Sequence, residues 1–317
     1  MANVNKIIGS LATVINKVSG SAISGISKII GATISLFSNT KSLSHGIADG
    51  TDYATAASTA SDFQVIQSDP WSISFWIRVG WTDSLNASTH LMTSDGGSSS
   101  NNMWRVYYNE SNNRLYFGWR SANNQRSNNF IYFHHPGTGE AGTVSGLGTS
   151  FPSDNWSATN RGYVNAENFT LITLTKGTGI TAAASNWTAY WNSQSLGDPF
   201  YASGNNNGTP AMNAATARNF AVGNKSWNNG NNSDGVATLY DEVSLWDTEL
   251  TQAQVAEIWG GTDAVGATDG EPINLQTSSM SSNLIGYWRF ETDGTVSTVG
   301  SATLTLGGSV SSVTDPA

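Results

Sequence analysis

The chain has 317 residues, enough for one large β domain with an appendage or for two domains. Charged residues make up only 12% and the net charge is −9, which excludes the basic face of a nucleic-acid-binding protein. There is no Cys and no apolar run near the roughly 18 residues of a membrane span, so neither a disulfide framework nor a spanning helix is expected.

Polarity comes from Asn, Ser, Thr and Gly rather than from charge. Asn, Ser and Gly favour turns and Thr favours strands, so a β-rich fold with long loops is expected. Twelve Trp among 10% aromatic residues supply a large core.

The first 36 residues repeat. Val4-Asn5-Lys6-Ile7-Ile8-Gly9 returns as Ile15-Asn16-Lys17-Val18-Ser19-Gly20 and as Ile26-Ser27-Lys28-Ile29-Ile30-Gly31, eleven residues apart. Glycine at this frequency disfavours a long helix. Short extended pieces punctuated by glycine turns fit better, with a right-handed coiled coil as the other solution of an eleven-residue period. A repeat this small cannot bury its apolar side chains alone. Residues 1–40 therefore read as an arm for attachment or oligomerisation, with Lys6, Gly9, Lys17, Gly20, Lys28 and Gly31 as equivalent assembly contacts. The interrupted apolar pattern is not that of a secretory signal. Without one, the N-x-S/T sequons, Asn86 to Asn231, read as composition.

From about Ser42 the pattern becomes alternating, with turn clusters between runs. Trp71-Ser-Ile73-Ser-Phe75-Trp76-Ile77 is a strand. Met103 to Tyr108 and Leu115 to Trp119, around Asn112-Asn113, read as a hairpin, and Asn129 to Phe133 as a further strand. His134 to Asn165 reads as a long Gly/Ser-rich insertion, and such loops are usually functional or mobile. Strands resume at Phe169–Leu174, Trp187–Trp191, Phe220–Gly223 and Ala237–Trp246. Thr251-Gln-Ala-Gln254 is a capping box that opens a helix carrying Val255, Ile258 and Trp259, and Gly260-Gly261 ends it. Leu284–Phe290 and Leu304–Leu306 complete the series. One helix among a dozen short strands predicts a β-sandwich.

Several segments resemble the laminin-G-like, concanavalin-A-like jelly-roll family. They are Ser42-Leu43-Ser44 with Asp49-Gly50-Thr51-Asp52-Tyr53, the strand Trp71–Ile77, Phe169–Thr175, and Thr188-Ala189-Tyr190-Trp191-Asn192. The most specific are Tyr240-Asp241-Glu242-Val243-Ser244-Leu245-Trp246 running into Leu250–Trp259, and Leu284-Ile285-Gly286-Tyr287-Trp288-Arg289-Phe290. The resemblance covers about residues 41–310. It implies an antiparallel jelly-roll β-sandwich, all-β with one short helix, over residues 41–317. With the repeat in front, the layout is similar to structural proteins of tailed bacteriophages, especially marine ones.

Chemistry is sparse. The glucanases of this superfold carry E-x-D-x-x-E on one strand. Glu291-Thr-Asp293 begins such a triplet, but Val296 stands where the last Glu belongs. Asp241 and Glu242 are adjacent, so a regular strand points them to opposite sides, and they read as structural. His45, His90, His134 and His135 lack the spacing of a transition-metal site. Gly137 to Gly142 matches G-x-G-x-x-G without a following helix, so no dinucleotide is expected. Calcium is a weaker possibility, through Asp234, Asn232 and Asp241.

Trp71, Trp76, Trp104, Trp119, Trp191, Trp246 and Trp288 lie in strand patterns and read as core. Trp227 instead sits among Asn228, Asn229 and Asn231, an aromatic plate ringed by amides that suits a sugar. Trp156 is a second candidate. The expectation is a non-enzymatic virion protein of a tailed phage, made in the host cytoplasm and displayed on the particle as a capsid decoration, head fibre or tail fibre. It would form a homo-oligomer and be held to other virion proteins by its N-terminal arm, with no nucleic acid and no membrane insertion. The alternative is a carbohydrate-binding adhesin that recognises host-surface glycans. A glycoside hydrolase is the remote third.

Overall fold

The computed structural model describes residues 28–29, 32–33, 39–45, 53–56, 70–80, 88–95, 104–109, 114–119, 129–134, 169–178, 186–197, 200–202, 219–223, 237–260, 270–291, 297, 299–300 and 302–314. The chain divides into two units, Met1–Ser38 and Asn39–Ala317.

In the first unit, β1 (Lys28–Ile29) pairs antiparallel with β2 (Ala32–Thr33), Lys28 opposite Thr33. The two strands flank Ile30 and Gly31 of the third repeat copy. Lys6, Gly9, Lys17, Gly20 and Gly31 lie outside the described residues.

The second unit is an antiparallel jelly-roll sandwich. In chain order its strands are β3 (Ser42–His45), β4 (Tyr53–Ala56), β5 (Trp71–Gly80), β6 (Ser88–Asp95), β7 (Trp104–Asn109), β8 (Arg114–Trp119) and β9 (Asn129–His134). Then come β10 (Thr170–Lys176), β11 (Trp187–Trp191), β12 (Gln194–Ser195), β13 (Phe200–Ala202), β14 (Asn219–Val222) and β15 (Ala237–Trp246). After the helix α1 (Gln252–Ile258) follow β16 (Leu284–Trp288), β17 (Leu304–Gly307) and β18 (Ser311–Val313). One sheet runs β12-β11-β10-β5-β15-β3-β18, with β16 also on β15. The other runs β13-β9-β8-β7-β6-β14-β4-β17. Chain neighbours such as β5 and β6 lie in different sheets, so the strands wrap the core rather than tile one face.

Alternation explains the layering. Trp71, Ile73, Phe75 and Ile77 of β5 meet Trp104, Val106, Leu115 and Phe117 of the other sheet in one buried cluster. Trp71 stacks on Trp104 at 5.8 Å, and Phe117 packs on Trp187 at 4.5 Å. Trp71, Trp76, Trp104, Trp191, Trp246 and Trp288 are all buried. The side chain of Trp119 lies outside the described residues.

A second cluster covers the far face of the first sheet. There Trp76, Leu171, Tyr190, Trp246 and Tyr287 lie with Val255, Ile258 and Trp259 of α1 and Leu275 and Met280. Helix α1 starts at Thr251, whose side chain accepts from Gln254 N–H while the Gln254 side chain accepts from Thr251 N–H. Two of the four orphan donors of the first turn are thus satisfied. Trp259 stacks nearly flat on Trp76, centroids 5.0 Å apart and planes 12° apart. Gly270 packs against the Trp259 ring, where a Cβ would fall 2.3 Å from it. Only glycine fits there.

Candidate functional site

The second sheet carries two kinds of face. Trp104, Val106, Leu115, Phe117, Ile131 and Phe133 point into the sandwich. Arg105, Tyr107, Tyr116, Gly118 and Tyr132 alternate with them and so line the opposite face. On that face Tyr107 is opposite Tyr116, and Tyr116 is opposite Tyr132. Three tyrosines from three adjacent strands form one row, and Phe200 of β13 continues the register.

Hairpin geometry sets this row. Asn109 pairs with Arg114, which leaves a four-residue connection, and that register brings Tyr107 and Tyr116 level. Their rings stack at 4.7 Å with planes 6° apart. Tyr132 leans on Tyr116 at 5.5 Å and 45°. The Arg105 guanidinium lies over the Tyr107 ring, 4.9 Å from its centroid. Each aromatic pair contributes about 0.5–1.5 kcal/mol and the cation–π contact about 0.5–1 kcal/mol. The row is therefore a rigid plate.

Tyr107 and Tyr116 are 7% and 6% exposed, while Arg105 and Tyr132 are half-buried. Burial pushes the Tyr107 hydroxyl up to about 12, Arg105 pulling it down and Tyr116 adding to the rise. The phenol stays neutral across the physiological range, a donor and acceptor at the rim of an apolar plate. Burial also lowers the Arg105 pKa from its ordinary value.

Beside the tyrosines runs a row of small side chains. Thr305 pairs with Thr55, Thr55 with Ala221, Ala221 with Thr93, Thr93 with Arg105, and Arg105 with Gly118. Within this row Ala221, Thr93 and Gly118 are buried, and Thr55 and Arg105 are half-buried.

Carboxylates gather elsewhere. β15 breaks register between Asp241 and Ser244, and Glu242 adopts φ 45°. The strict alternation expected for this pair does not hold, because a bulge inserts extra backbone. Asp241 and Glu242 are 0% and 2% exposed. Asp241 accepts from Asn39 Nδ2 at 3.0 Å and from Glu242 N–H at 2.8 Å. Glu242 accepts from the Tyr287 hydroxyl and from Arg289 Nε at 3.2 Å. Burial first, then Asp241, raises its pKa well above the usual range, against the pull of Arg289. Glu291 accepts from Thr40 N–H at 2.7 Å and from Thr40 Oγ1 at 2.6 Å. Asp241 and Glu291 thus hold Asn39 and Thr40, where the chain enters β3, and Glu242 is bound by Tyr287 and Arg289 at the end of β16.

Of the sequence candidates for a sugar site, Trp227, Asn228, Asn229, Asn231 and Trp156 lie outside the described residues. So do Asn232 and Asp234 of the calcium set, and Asp241 is the internal anchor just described. Among the described residues no group of three His, Cys, Asp or Glu could hold a metal ion. The tyrosine row is not among the sequence candidates. Its signal is tyrosine or arginine at the polar positions of Trp104-Arg105-Val106-Tyr107 and Leu115-Tyr116-Phe117, which tryptophan counting overlooks.

No protein-family model and no curated protein matches the sequence. Solved structures with a similar fold do exist. A candidate carbohydrate binding protein from Bacteroides ovatus is 13% identical with a TM-score of 0.48, covering 92% of this chain and 66% of its own. A heptameric SAP-like pentraxin from Limulus polyphemus is 12% identical with a TM-score of 0.41, covering 85% and 95%. The binding domain of botulinum neurotoxin DC, solved with rat synaptotagmin II, is 17% identical with a TM-score of 0.37 over 60% of this chain. The chain spans about a third of that neurotoxin chain, 35%. At these values the likeness says nothing about ligands, and the fold rests on the strand pairing itself.

Proposed function

We propose that the jelly roll is a glycan-binding module that binds without turnover. The observation that carries this reading is the stacked row Tyr107–Tyr116–Tyr132, with Arg105 over its end, on the face turned away from the core. Tyr132 is the half-buried member of the row, and Tyr107 and Tyr116 are buried. Tyrosine serves sugars well, since one side chain supplies a π face and a hydroxyl. The Trp227 loop, with Asn228, Asn229 and Asn231, and Trp156 remain a second candidate contact in the same reading.

The test is a glycan array probed with the wild type, Tyr132→Ala and Trp227→Ala. Loss of signal in Tyr132→Ala assigns the sheet, and loss in Trp227→Ala alone assigns the loop. A folded wild type that binds no glycan ends the reading. Sugar release from algal or bacterial polysaccharides would contradict binding without turnover.

A second reading is favoured by the three-copy repeat. In it the chain is a structural subunit of a tailed-phage particle, a capsid decoration or fibre, with the arm attached to other virion proteins. The two readings are compatible, because a displayed subunit can also bind host glycans. Deleting residues 1–36 and measuring incorporation into particles tests it. Unchanged incorporation rules the arm out as the anchor.

A further inference from the structure

We infer that Asp241, Glu242 and Glu291 form a proton-operated latch on residues 39–41, with which the second unit begins. With Glu242 protonated the segment is held, and with Glu242 ionised it is let go. The latch is independent of the glycan-binding reading.

Residues 39–41 precede the ladder of β3, and bonds to two carboxylates hold them. Asn39 Nδ2 donates to Asp241 at 3.0 Å. Thr40 N–H, Thr40 Oγ1 and Lys41 N–H donate to Glu291 at 2.7, 2.6 and 3.3 Å. Thr40 is exposed, and Asn39 and Lys41 are half-buried. β3 itself is locked between β15 and β18. A segment outside the ladders opens at lower cost than one within them, so residues 39–41 are the part that yields.

Glu242 lies between the two grips. Asp241 accepts from Asn39 with one oxygen and from the Glu242 N–H with the other. Glu242 has φ 45°, a left-handed backbone that such a residue keeps only where its surroundings impose it. Asp241 therefore couples a strained stretch of backbone to the entry segment. The charged groups that act on Glu242 are Asp241 on its own strand and Arg289 and Glu291 beyond β16. Tyr287 of β16 is its titratable hydrogen-bond partner. β5 meets this stretch with Trp76, opposite Asp241.

The Tyr287 hydroxyl has one hydrogen but two acceptors in reach, Glu242 Oε2 and the Ile273 carbonyl at 3.4 Å. A proton on Glu242 Oε2 satisfies both: Glu242 donates to Tyr287, and Tyr287 donates to Ile273. Arg289 Nε keeps its bond to Glu242 Oε1 at 3.2 Å. Loss of that proton to solvent leaves a second buried charge beside Asp241, and Glu291 repels it as well. Admitting water relieves the repulsion, and the segment held by these same carboxylates is the one that opens.

The experiment is hydrogen exchange of the full chain from about pH 5 to about pH 9, each rate divided by the intrinsic rate at that pH. It is read at the Thr40 and Lys41 amides and, for reference, at those of β5. The wild type is expected to lose protection at Thr40 and Lys41 by up to about tenfold per pH unit as Glu242 ionises, while β5 keeps its own. Glu242→Gln cannot ionise, and its amide reproduces the bonds of the protonated acid. It is expected to stay protected throughout. Arg289→Gln removes the charge that favours ionised Glu242, so its loss of protection is expected at higher pH than in the wild type. Should Glu242→Gln fail to fold, Arg289→Gln still decides.

Wild-type protection at Thr40 and Lys41 that stays flat across the range overturns the latch. So does an equal fall in folded Glu242→Gln, or an unshifted profile in folded Arg289→Gln. A fall at β5 in step with Thr40 and Lys41 marks unfolding of the whole domain and overturns it too.

Discussion

At the scale of single residues, Glu242 shows how burial and charge compete. Its carboxylate lies within reach of Arg289 and Tyr287, yet burial and Asp241 outweigh that help and its folded pKa is raised. A raised folded pKa contributes stability below the unfolded value of about 4.3, and that contribution is lost as pH rises through the folded value. The wild type should therefore lose melting temperature relative to Glu242→Gln as pH climbs from about 4.5 toward neutral. Melting curves across that window check this, and parallel curves for the two proteins would contradict it. Gly270 is the steric counterpart. Alanine there would meet Trp259 and tilt it off Trp76. Gly270→Ala should cost about 1–3 kcal/mol, as overpacking does, and weaken the near-ultraviolet tryptophan dichroism.

Elements obey local rules that were visible in the sequence. The capping box at Thr251 and the Val255, Ile258 and Trp259 stripe placed α1, and the helix forms there with both reciprocal bonds. Thr251→Ala should cost about 1 kcal/mol in denaturant melts, with tertiary packing retained. The alternating runs became β5, β7, β8, β10, β11, β15 and β16, because successive strand side chains point to opposite faces of the sheet. Register was not legible. A hairpin centred on Asn112-Asn113 would put Tyr107 opposite Gly118, whereas the observed pairing sets it opposite Tyr116 and builds the plate. The bulge at Asp241 was hidden too, since nothing in Tyr240-Asp241-Glu242-Val243 marks where alternation breaks. The candidate site was thus half readable: the residue types were in view, but their juxtaposition depends on turn length and strand order.

At the scale of the molecule, the chain divides into two units, Met1–Ser38 and Asn39–Ala317. In the first unit Lys28–Ile29 pairs antiparallel with Ala32–Thr33. Among the described residues these two strands pair only with each other, and a two-stranded hairpin by itself is marginal in water. The full chain is expected to be oligomeric in light scattering, and removal of residues 1–36 to yield a monomer with an unchanged melting temperature. A monomeric full-length chain would remove the arm from assembly. The central claim concerns the other unit, that the tyrosine plate of the second sheet holds a glycan. Calorimetric titration of the array's best glycan into the wild type and Tyr132→Ala tests it most directly. The plate requires Tyr132→Ala to bind at least about tenfold more weakly while remaining folded; equal affinity in the two folded proteins would contradict it.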